Sequence, residues 1–302
     1  MVAKVFIDGE AGTTGLQIRE RLDGRADVDL ISVDPARRKD ADARAEAFTQ
    51  ADIAILCLPD DAAREAVTLA GDTRIIDAST AHRIAPGWTY GMPELPGQRE
   101  AIAGATRVAN VGCYATGSIA LVRPLRDAGI LPPEYAATLT GVSGYTGGGK
   151  ALIAEYDAGT APAHFLYALG QSHKHVPEIM RYGTLTVQPA FQPAVGNFAQ
   201  GMVVQLHLHR AGVNRDVTRD TLEEAMRAFY AEARFVEVTP APDRLDPQAV
   251  NGSNRMLISV HGDDTAGIWT LTATLDNLGK GASGTAVQNL NLMIGADEGA
   301  GL

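Results

Sequence analysis

The chain has 302 residues, 45% of them hydrophobic and 21% charged, which is typical of a soluble globular protein with enough length for two domains. Its net charge of −10 disfavours a nucleic-acid binder, and no apolar run approaches the roughly 20 residues that would span a membrane. Two cysteines and a start without a cleavable apolar stretch argue against a disulfide scaffold and a signal peptide, so we expect a cytoplasmic protein.

Short apolar strands alternate with helical patterns through the first third of the chain. The predicted strands are Lys4–Ile7, Asp29–Val33, Ile53–Leu58 and Arg74–Asp77, and the predicted helices are Leu16–Leu22, Ala41–Phe48 and Asp60–Ala70. Continuous apolar strands that alternate with helices are typical of a parallel sheet covered on both faces. The sequence therefore predicts an α/β, doubly wound domain of the Rossmann type.

The pattern changes further along the chain, where the apolar runs lengthen and partly alternate. Strands are predicted at Tyr135–Val142, Thr184–Ala190, Met202–Leu208, Met256–His261 and Ile268–Leu275, and helices at Lys150–Tyr156 and Thr218–Phe229. This pattern favours an α+β domain with a mostly antiparallel sheet.

The C-terminal segment Gly281–Ile294 has apolar residues at helical spacing, and we expect this helix to pack back on the first domain. We therefore predict a dinucleotide-binding domain of residues 1–114 plus 280–302, and a catalytic and substrate domain of residues 115–279.

A glycine-rich turn lies between the first predicted strand and the first predicted helix. Its glycines are Gly9, Gly12 and Gly15, and Thr13 and Thr14 stand between the last two. Glycines allow the backbone to approach a pyrophosphate closely, and the following helix directs its free N–H groups at that anion. The spacing is GxxGxxG rather than GxGxxG, but the strand before it and the helix after it favour a dinucleotide site over an ordinary turn.

Three successive cations follow the second predicted strand, where the adenine ribose of a dinucleotide is normally bound. Arg37, Arg38 and Lys39 suit the 2′-phosphate of NADP, because arginine binds phosphate with two parallel hydrogen bonds. Asp34 would instead suit the free 2′-hydroxyl of NAD, and a solvated surface run is the alternative for any one of the cations. NADP(H) is favoured over NAD.

Cys113 follows the strand-like Arg107–Asn110 and precedes an apolar helical pattern at Ser118–Leu125. A thiol at a helix N-terminus lies in positive potential, which stabilises the thiolate, and the same N–H groups can hold an oxyanion. Cys113 is therefore the candidate nucleophile, whereas Cys57 lies inside the apolar run Ile53–Leu58 and is interpreted as a buried small side chain.

A catalytic thiol usually needs a histidine close to it in space. His173 and His175 lie in a polar segment before a proline and are the candidates, with the choice between them open. His207 and His209 alternate along a predicted strand and are interpreted as sheet residues. Neither pair has a third ligand at metal spacing, so no metal site is expected.

These motifs together resemble one family, the short form of N-acetyl-gamma-glutamyl-phosphate reductase, which acts in arginine biosynthesis. The matching segments are Gly9–Gly15, Asp77–Arg83, Tyr90–Glu94, Asn110–Gly117, Gly141–Tyr145, His173–Glu178 and Asp276–Gly281, followed by Asn289. The family's cysteine motif has proline at the positions of Val111 and Ala115, so this chain departs from it on both sides of Cys113.

The resemblance implies a glyceraldehyde-3-phosphate-dehydrogenase-like fold and an acyl phosphate as the small-molecule substrate. The longer strands of the second domain suggest a homo-oligomer, a dimer or a tetramer. Cys113 would form a thioester that NADPH reduces to the semialdehyde, with His175 as acid–base, His173 as second choice and Glu178 as an orienting carboxylate. The resemblance also implies cofactor contacts by Ser79, Gly144 and Asn277, although Gly144 could approach the substrate phosphate instead and Asn277 could belong to an ordinary helix-capping turn. Candidates for substrate binding are Asn110, Arg83 and Lys150, with simple surface placement as the alternative for the two cations.

Other functions remain open on the residues alone. The same chemistry could act on aspartyl phosphate or on a carrier-linked aminoadipyl phosphate, because only the pocket would differ. A non-catalytic NADP sensor would not need Cys113, His173 and His175, and a cysteine hydrolase would not need the glycine turn.

Overall fold

The computed structural model describes residues 2–213 and 216–302, which form two compact units. The first unit comprises residues up to Gly112 together with Ala282–Leu302, and the second is Cys113–Gly281.

The first unit contains a parallel sheet with crossover helices. Its elements are β1 (Ala3–Asp8), α1 (Thr13–Leu22), β2 (Val28–Ile31), α2 (Ala41–Gln50), β3 (Ile53–Leu56), α3 (Asp60–Ala70), β4 (Arg74–Asp77), β5 (Thr89–Gly91), α4 (Gln98–Gly104) and β6 (Arg107–Asn110). In the described residues the strand order is β2-β1-β3-β4-β6-β5, and every neighbouring pair is parallel. The predicted doubly wound domain is confirmed.

Hydrophobic clusters on the two faces of this sheet explain why its strands are continuously apolar. Successive residues of a strand point to opposite faces, so β1 sends Val5 and Ile7 to one cluster and Phe6 to the other. In β3, Ile55 joins the first cluster and Leu56 the second. A strand buried on both sides cannot alternate apolar and polar residues.

The second unit contains a mixed sheet and several helices. Its elements are α5 (Cys113–Asp127), β7 (Thr138–Gly144), a 3₁₀ turn (Tyr145–Gly148), α6 (Gly149–Asp157), β8 (His164–Leu166), α7 (Val176–Tyr182), β9 (Ala190–Gly196), β10 (Met202–His209), α8 (Arg219–Phe229), β11 (Val236–Val238), β12 (Met256–Asp263) and β13 (Ile268–Leu275). Within the described chain the order is β11-β12-β13-β10-β7-β9-β8. Only β11–β12 and β7–β9 are parallel among these pairs, so the predicted mostly antiparallel sheet is confirmed.

Helix α5 packs against β10 and β13 and is buried along most of its length. A Cβ atom at Gly117 would lie 2.6 Å from the Val204 Cγ2, so glycine permits this close approach of helix and sheet. No helix among the described residues is long and apolar enough to cross a membrane.

The strand predicted at Thr184–Ala190 is wrong. Thr184 has a positive φ of 54° and lies in the turn after α7, and the strand begins only at Ala190. The apolar pattern that suggested a strand arises because Leu185 is buried in an irregular segment. The true strand β9 runs through Pro193, a residue that normally disfavours an interior strand. Likewise, the strand predicted from Tyr135 begins at Thr138.

The C-terminal helix α9 (Gly284–Ile294) belongs to the first unit. Ala286, Val287, Leu290 and Met293 are buried and join the hydrophobic cluster that contains Val5 and Ile7. The helical spacing of these residues therefore marks the face that packs on the sheet.

Candidate active site

The glycine turn of the first unit has a shape that only glycine allows. Gly9 has φ +90°, and a Cβ atom on it would lie 2.4 Å from the Cys57 carbonyl oxygen. A Cβ atom on Gly15 would lie 2.6 Å from the Gly9 carbonyl oxygen. Gly12 precedes the first residue of α1, so the free N–H groups of the helix open at this turn. A cradle that side chains would fill fits the pyrophosphate of a dinucleotide.

The cations predicted to bind a 2′-phosphate are exposed in the segment after β2. The Arg37 Nη2 lies 3.0 Å from the Asp40 Oδ1, and Arg38 is exposed beside it. The Asp34 Oδ1 accepts a hydrogen bond from the Ala36 N–H at 2.8 Å, so this carboxylate already binds its own turn.

A buried carboxylate organises the segment after β4. Asp77 is fully buried and accepts hydrogen bonds from the Ser79 N–H at 2.9 Å and the Ser79 hydroxyl at 2.7 Å. The Asp77 Oδ2 also lies 2.6 Å from the His82 Nδ1, and the His82 ring stacks on Trp88 with centroids 4.1 Å apart. The sequence singled out Ser79 but not this aspartate–histidine pair.

Arg83 and Asn110, predicted to bind substrate, have partners within the first unit. The buried Arg83 donates from Nε to the Asn110 carbonyl at 3.0 Å and from Nη2 to the Ala78 carbonyl at 3.3 Å. The Asn110 Nδ2 donates to the Ala282 carbonyl at 2.9 Å, and its Oδ1 accepts from the Asn289 Nδ2 at 3.0 Å. These bonds hold the end of β6.

The two thiols differ in their surroundings. Cys113 is the first residue of α5, which places it in the positive potential of a helix start. A Cβ atom at Gly281 would lie 2.7 Å from the Cys113 Cβ, so glycine leaves room for this side chain. At Cys57, burial and the nearby charges of Asp77 and Asp8 raise the pKa to about 12. Cys57 is therefore unsuited to act as a thiolate at neutral pH.

His173 lies in a cluster of rings in the second unit. Its ring centroid is 4.6 Å from that of His175, 5.1 Å from Phe191, 5.6 Å from Tyr167 and 6.5 Å from Tyr114. The His173 Nδ1 accepts a hydrogen bond from the His175 N–H at 3.1 Å. The structure therefore brings both predicted histidines together.

Two rings of this cluster, Tyr114 and Tyr167, lie near enough to Cys113 to be affected by its charge. Burial raises the pKa of Tyr114 and of Tyr167, and a negative charge on Cys113 raises both further. Cys113 thus lies within electrostatic reach of Tyr167, which in turn contacts His173. Sequence reasoning missed Tyr167 because it lies far from the cysteine motif and carries no motif of its own.

His175 is buried immediately before α7, and its Nε2 lies 3.9 Å from the Glu178 Oε1. Glu178 is itself 1% exposed, so a carboxylate faces the imidazole in a place with little water. Within residues 2–213 and 216–302, no group of three or more histidine, cysteine or acidic side chains could hold a metal ion.

Two other predicted residues, Gly144 and Asn277, lie at the glycine-rich turn after β7. A Cβ atom on Gly144 would lie 2.4 Å from the Ala199 carbonyl, so only glycine fits there. The buried Asn277 donates from Nδ2 to the Thr146 hydroxyl at 3.1 Å. Lys150, the second residue of α6, is exposed.

A Rossmann-type sheet in one unit and a cysteine at the first helix of the other are typical of dehydrogenases that use a cysteine nucleophile. The comparison with family models agrees. Residues 25–105 match the family model described as semialdehyde dehydrogenase, NAD binding domain. Residues 113–277, more than half of the chain, match semialdehyde dehydrogenase, dimerisation domain. The chain belongs to the semialdehyde dehydrogenase family, and it is an oxidoreductase with a nicotinamide-dinucleotide-binding domain.

Relatives within this family narrow the resemblance. The chain is 51% identical to the N-acetyl-gamma-glutamyl-phosphate reductase of Brucella anthropi, over 98% of this chain and 99% of the relative. It is equally similar to the protein of that name from Brucella canis, over 98% and 100% of the two chains. The resemblance predicted from the motifs is confirmed.

Solved structures show the same fold. Aspartate semialdehyde dehydrogenase II of Vibrio cholerae, complexed with ASA, superposes with a TM-score of 0.74 at 16% identity, covering 97% of this chain and 98% of that one. A probable aspartate-semialdehyde dehydrogenase of Pseudomonas aeruginosa gives 0.75 at 14%, with coverage of 97% and 99%. These likenesses concern the fold alone.

Proposed function

We propose that the chain reduces N-acetyl-L-glutamyl 5-phosphate to N-acetyl-L-glutamate 5-semialdehyde with NADPH, in arginine biosynthesis. The observation that carries the proposal is Cys113 at the start of α5, next to Tyr114, whose ring contacts His173 in the cluster that also contains His175. The identity of the substrate is inferred from the relatives named N-acetyl-gamma-glutamyl-phosphate reductase, which are 51% identical over nearly the whole chain.

In the proposed reaction, the Cys113 thiolate attacks the carbonyl carbon of the acyl phosphate. The carbon–oxygen bond to phosphate breaks, inorganic phosphate leaves, and a thioester remains on Cys113. When bound, the dinucleotide supplies the hydride that reduces this thioester. His175 donates a proton to the oxygen of the resulting thiohemiacetal and takes it back as the carbon–sulfur bond breaks, which releases the aldehyde and restores the thiolate.

The remaining roles are assigned from the neighbours of each side chain. Glu178 orients His175, and the ring of His173 holds the main chain of His175. For the anionic groups of the substrate we assign Lys150, an exposed cation.

The cofactor and domain assignments also belong to the proposal. The first unit is assigned as the dinucleotide-binding domain, with the turn Gly9–Gly15 on the pyrophosphate and with Thr13, Thr14 and Ser79 lining the cofactor. Arg37 and Arg38 are exposed cations that suit a 2′-phosphate, so they favour NADP over NAD, and one oxygen of Asp34 is engaged in its own turn. Gly144 and Asn277 are assigned to the nicotinamide end.

The second unit is assigned as the catalytic domain, and its match to a dimerisation domain supports a homo-oligomer. Both cysteines stand outside disulfides, which suits a reducing cytoplasm.

The reaction is tested most directly in reverse. Purified protein is mixed with N-acetylglutamate semialdehyde, phosphate and NADP, and NADPH formation is followed by absorbance. Parallel reactions contain aspartate semialdehyde or NAD. We expect a signal that needs phosphate, prefers the acetylated substrate and NADP, and disappears in Cys113→Ser.

The matched control is Cys57→Ser, which removes the other thiol and should retain activity. A preference for aspartate semialdehyde would keep the chemistry and overturn the substrate assignment. Turnover of the acetylated substrate by Cys113→Ser would overturn the nucleophile.

A further inference from the structure

The main chain just before Cys113 is held by one guanidinium group. The Arg83 Nε donates to the Asn110 carbonyl at 3.0 Å, and its Nη2 donates to the Val111 carbonyl at 3.4 Å and to the Ala78 carbonyl at 3.3 Å. Arg83 is only 7% exposed, so water competes little for these carbonyls. One rigid planar group thus fixes two successive peptide units, and the second of them is followed by Gly112 and Cys113.

The side chain of Asn110 is held by the C-terminal segment of the first unit. The Asn289 Nδ2, on α9, donates to the Asn110 Oδ1 at 3.0 Å and to the Gly91 carbonyl at 3.1 Å. The Asn110 Nδ2 donates to the Ala282 carbonyl at 2.9 Å. The main chain and the side chain of Asn110 are therefore fixed independently.

Val111 has no ring to lock its φ as a proline would. The hydrogen bond from Arg83 to the Val111 carbonyl restrains this residue on its C-terminal side, in the peptide unit that leads to Gly112.

We propose that Arg83 is a positioning residue, which sets the place of the Cys113 thiol at the N-terminus of α5 by holding the Asn110 and Val111 carbonyls. Lysine cannot replace it, because an ammonium group lacks the planar set of donors that reaches separate carbonyls in fixed directions. The proposal rests on the proposed function in so far as Cys113 is its nucleophile.

The test measures the thiol directly, without substrate. In a Cys57→Ser background, the rate of Cys113 alkylation by iodoacetamide is recorded against pH for the parent and for Arg83→Lys. The matched control is Arg74→Lys, since Arg74 also donates to three carbonyls of the first unit, those of Ala103, Ala105 and Met293. Arg74 begins β4, so it lies at the opposite end of that strand from Asp77.

We expect the midpoint of the alkylation profile to rise by about one pH unit in Arg83→Lys, because a thiol displaced from a helix N-terminus returns toward its ordinary pKa. In the reverse reaction, kcat should fall by about 10- to 100-fold with KM little changed, as expected for a misplaced reacting group. Arg74→Lys should leave the alkylation midpoint unchanged.

If Arg83→Lys left the midpoint of the alkylation profile unchanged and raised KM, the proposal would be overturned. Arg83 would then be a substrate-binding residue. An equal shift in both lysine variants would overturn it in favour of a general loss of stability. If the parent is alkylated normally but reduces no acyl phosphate, the proposed function fails while the alkylation comparison still decides the role of Arg83.

A second pair of variants covers the case in which Arg83→Lys does not fold. Asn289→Ala removes the brace on the Asn110 side chain and should shift the midpoint in the same direction. Asn291→Ala is its control, since Asn291 lies on the same helix but donates to the Glu298 and Ala300 carbonyls. A midpoint equal in these two variants would also contradict the proposal.

Discussion

The two histidines before α7 differ in how their nitrogen atoms are used. The His173 Nδ1 accepts a hydrogen bond from the His175 N–H, so this nitrogen carries no proton and a neutral His173 is protonated at Nε2. Protonation to imidazolium would sacrifice that bond. The His175 Nε2 instead lies 3.9 Å from the Glu178 Oε1, so a buried carboxylate faces this ring. This contrast is the basis on which we propose proton transfer by His175 and positioning by His173.

Substitution by asparagine separates these roles. His175→Asn removes the imidazole, and we expect kcat to fall by about 10²- to 10⁴-fold, the usual contribution of a general acid–base. His173→Asn keeps an oxygen near the Nδ1 position as acceptor and should lose less. The measurement is kcat against pH, in which only His175→Asn should lose a limb of the profile. A greater loss in His173→Asn would reverse the assignment.

Cofactor choice is a second property at the residue scale. Removal of the charge in Arg38→Gln should lower the preference for NADP over NAD by about tenfold or more, because a charge-assisted hydrogen bond contributes roughly 1.5–3 kcal/mol. The measurement is the ratio of kcat/KM for the two cofactors. Arg64→Gln is the control, an exposed arginine on α3 that pairs with Asp61. If the parent and Arg38→Gln had the same ratio of kcat/KM for NADP and NAD, Arg38 would not bind the 2′-phosphate.

The sequence indicates residues of this site when they lie in local motifs. Cys113 could be predicted because a thiol followed by a helical pattern is a local signal, and the pair His173 and His175 stands out in a polar segment. Tyr167 could not be predicted, since its contact with His173 depends on a turn in which Ala168 and Gln171 adopt positive φ. Only the folded chain brings Tyr167 to that ring.

At the scale of elements, strands with continuous apolar runs were predicted well and strands with weak signals were not. β3 lies between two hydrophobic clusters and is apolar throughout, and the central Ile75 and Ile76 of β4 join one cluster each. β8 has three residues and lies at a sheet edge, and β9 contains Pro193. Their pairing is decided by the neighbouring strands, and single-sequence patterns do not record such neighbours.

The sheet of the second unit carries two histidines that bond to hydroxyl groups. The His207 Nε2 lies 2.9 Å from the Thr140 hydroxyl, and the His261 Nε2 lies 2.9 Å from the Ser259 hydroxyl. Burial lowers the pKa of both histidines from the ordinary value of 6.5. His207 lies in β10 and His261 in β12, so a charge on either ring would act within the sheet and affect its stability.

This lowered pKa predicts how stability depends on pH. At these two histidines the unfolded chain binds protons more readily than the folded sheet. Their contribution to the free energy of unfolding is therefore complete above pH 6.5 and is lost as pH falls below that value. His207→Gln/His261→Gln should flatten the decline in unfolding free energy between about pH 7 and 5, the range in which unperturbed histidine titrates. The buried Trp269 on β13 reports the transition by fluorescence. An unchanged decline in the double variant would contradict this origin.

On the scale of the whole molecule, each unit has its own sheet and one of the chain's two tryptophans. Trp88 lies in the first unit, where it stacks on His82, and Trp269 is fully buried in the second. Single-tryptophan variants, Trp269→Phe and Trp88→Phe, therefore report the unfolding of one unit each.

The glycine turn and the cations Arg37 and Arg38 all belong to the first unit, so bound NADP should stabilise that unit directly. At a concentration about 100 times Kd, a ligand that binds only the folded state adds about 2.7 kcal/mol. We expect NADP to raise the unfolding midpoint reported by Trp88 more than that reported by Trp269, with NAD at the same concentration as the weaker control. Equal increases from both tryptophans would mean that the two units unfold cooperatively, and no increase at Trp88 would contradict the placement of the cofactor on the first unit.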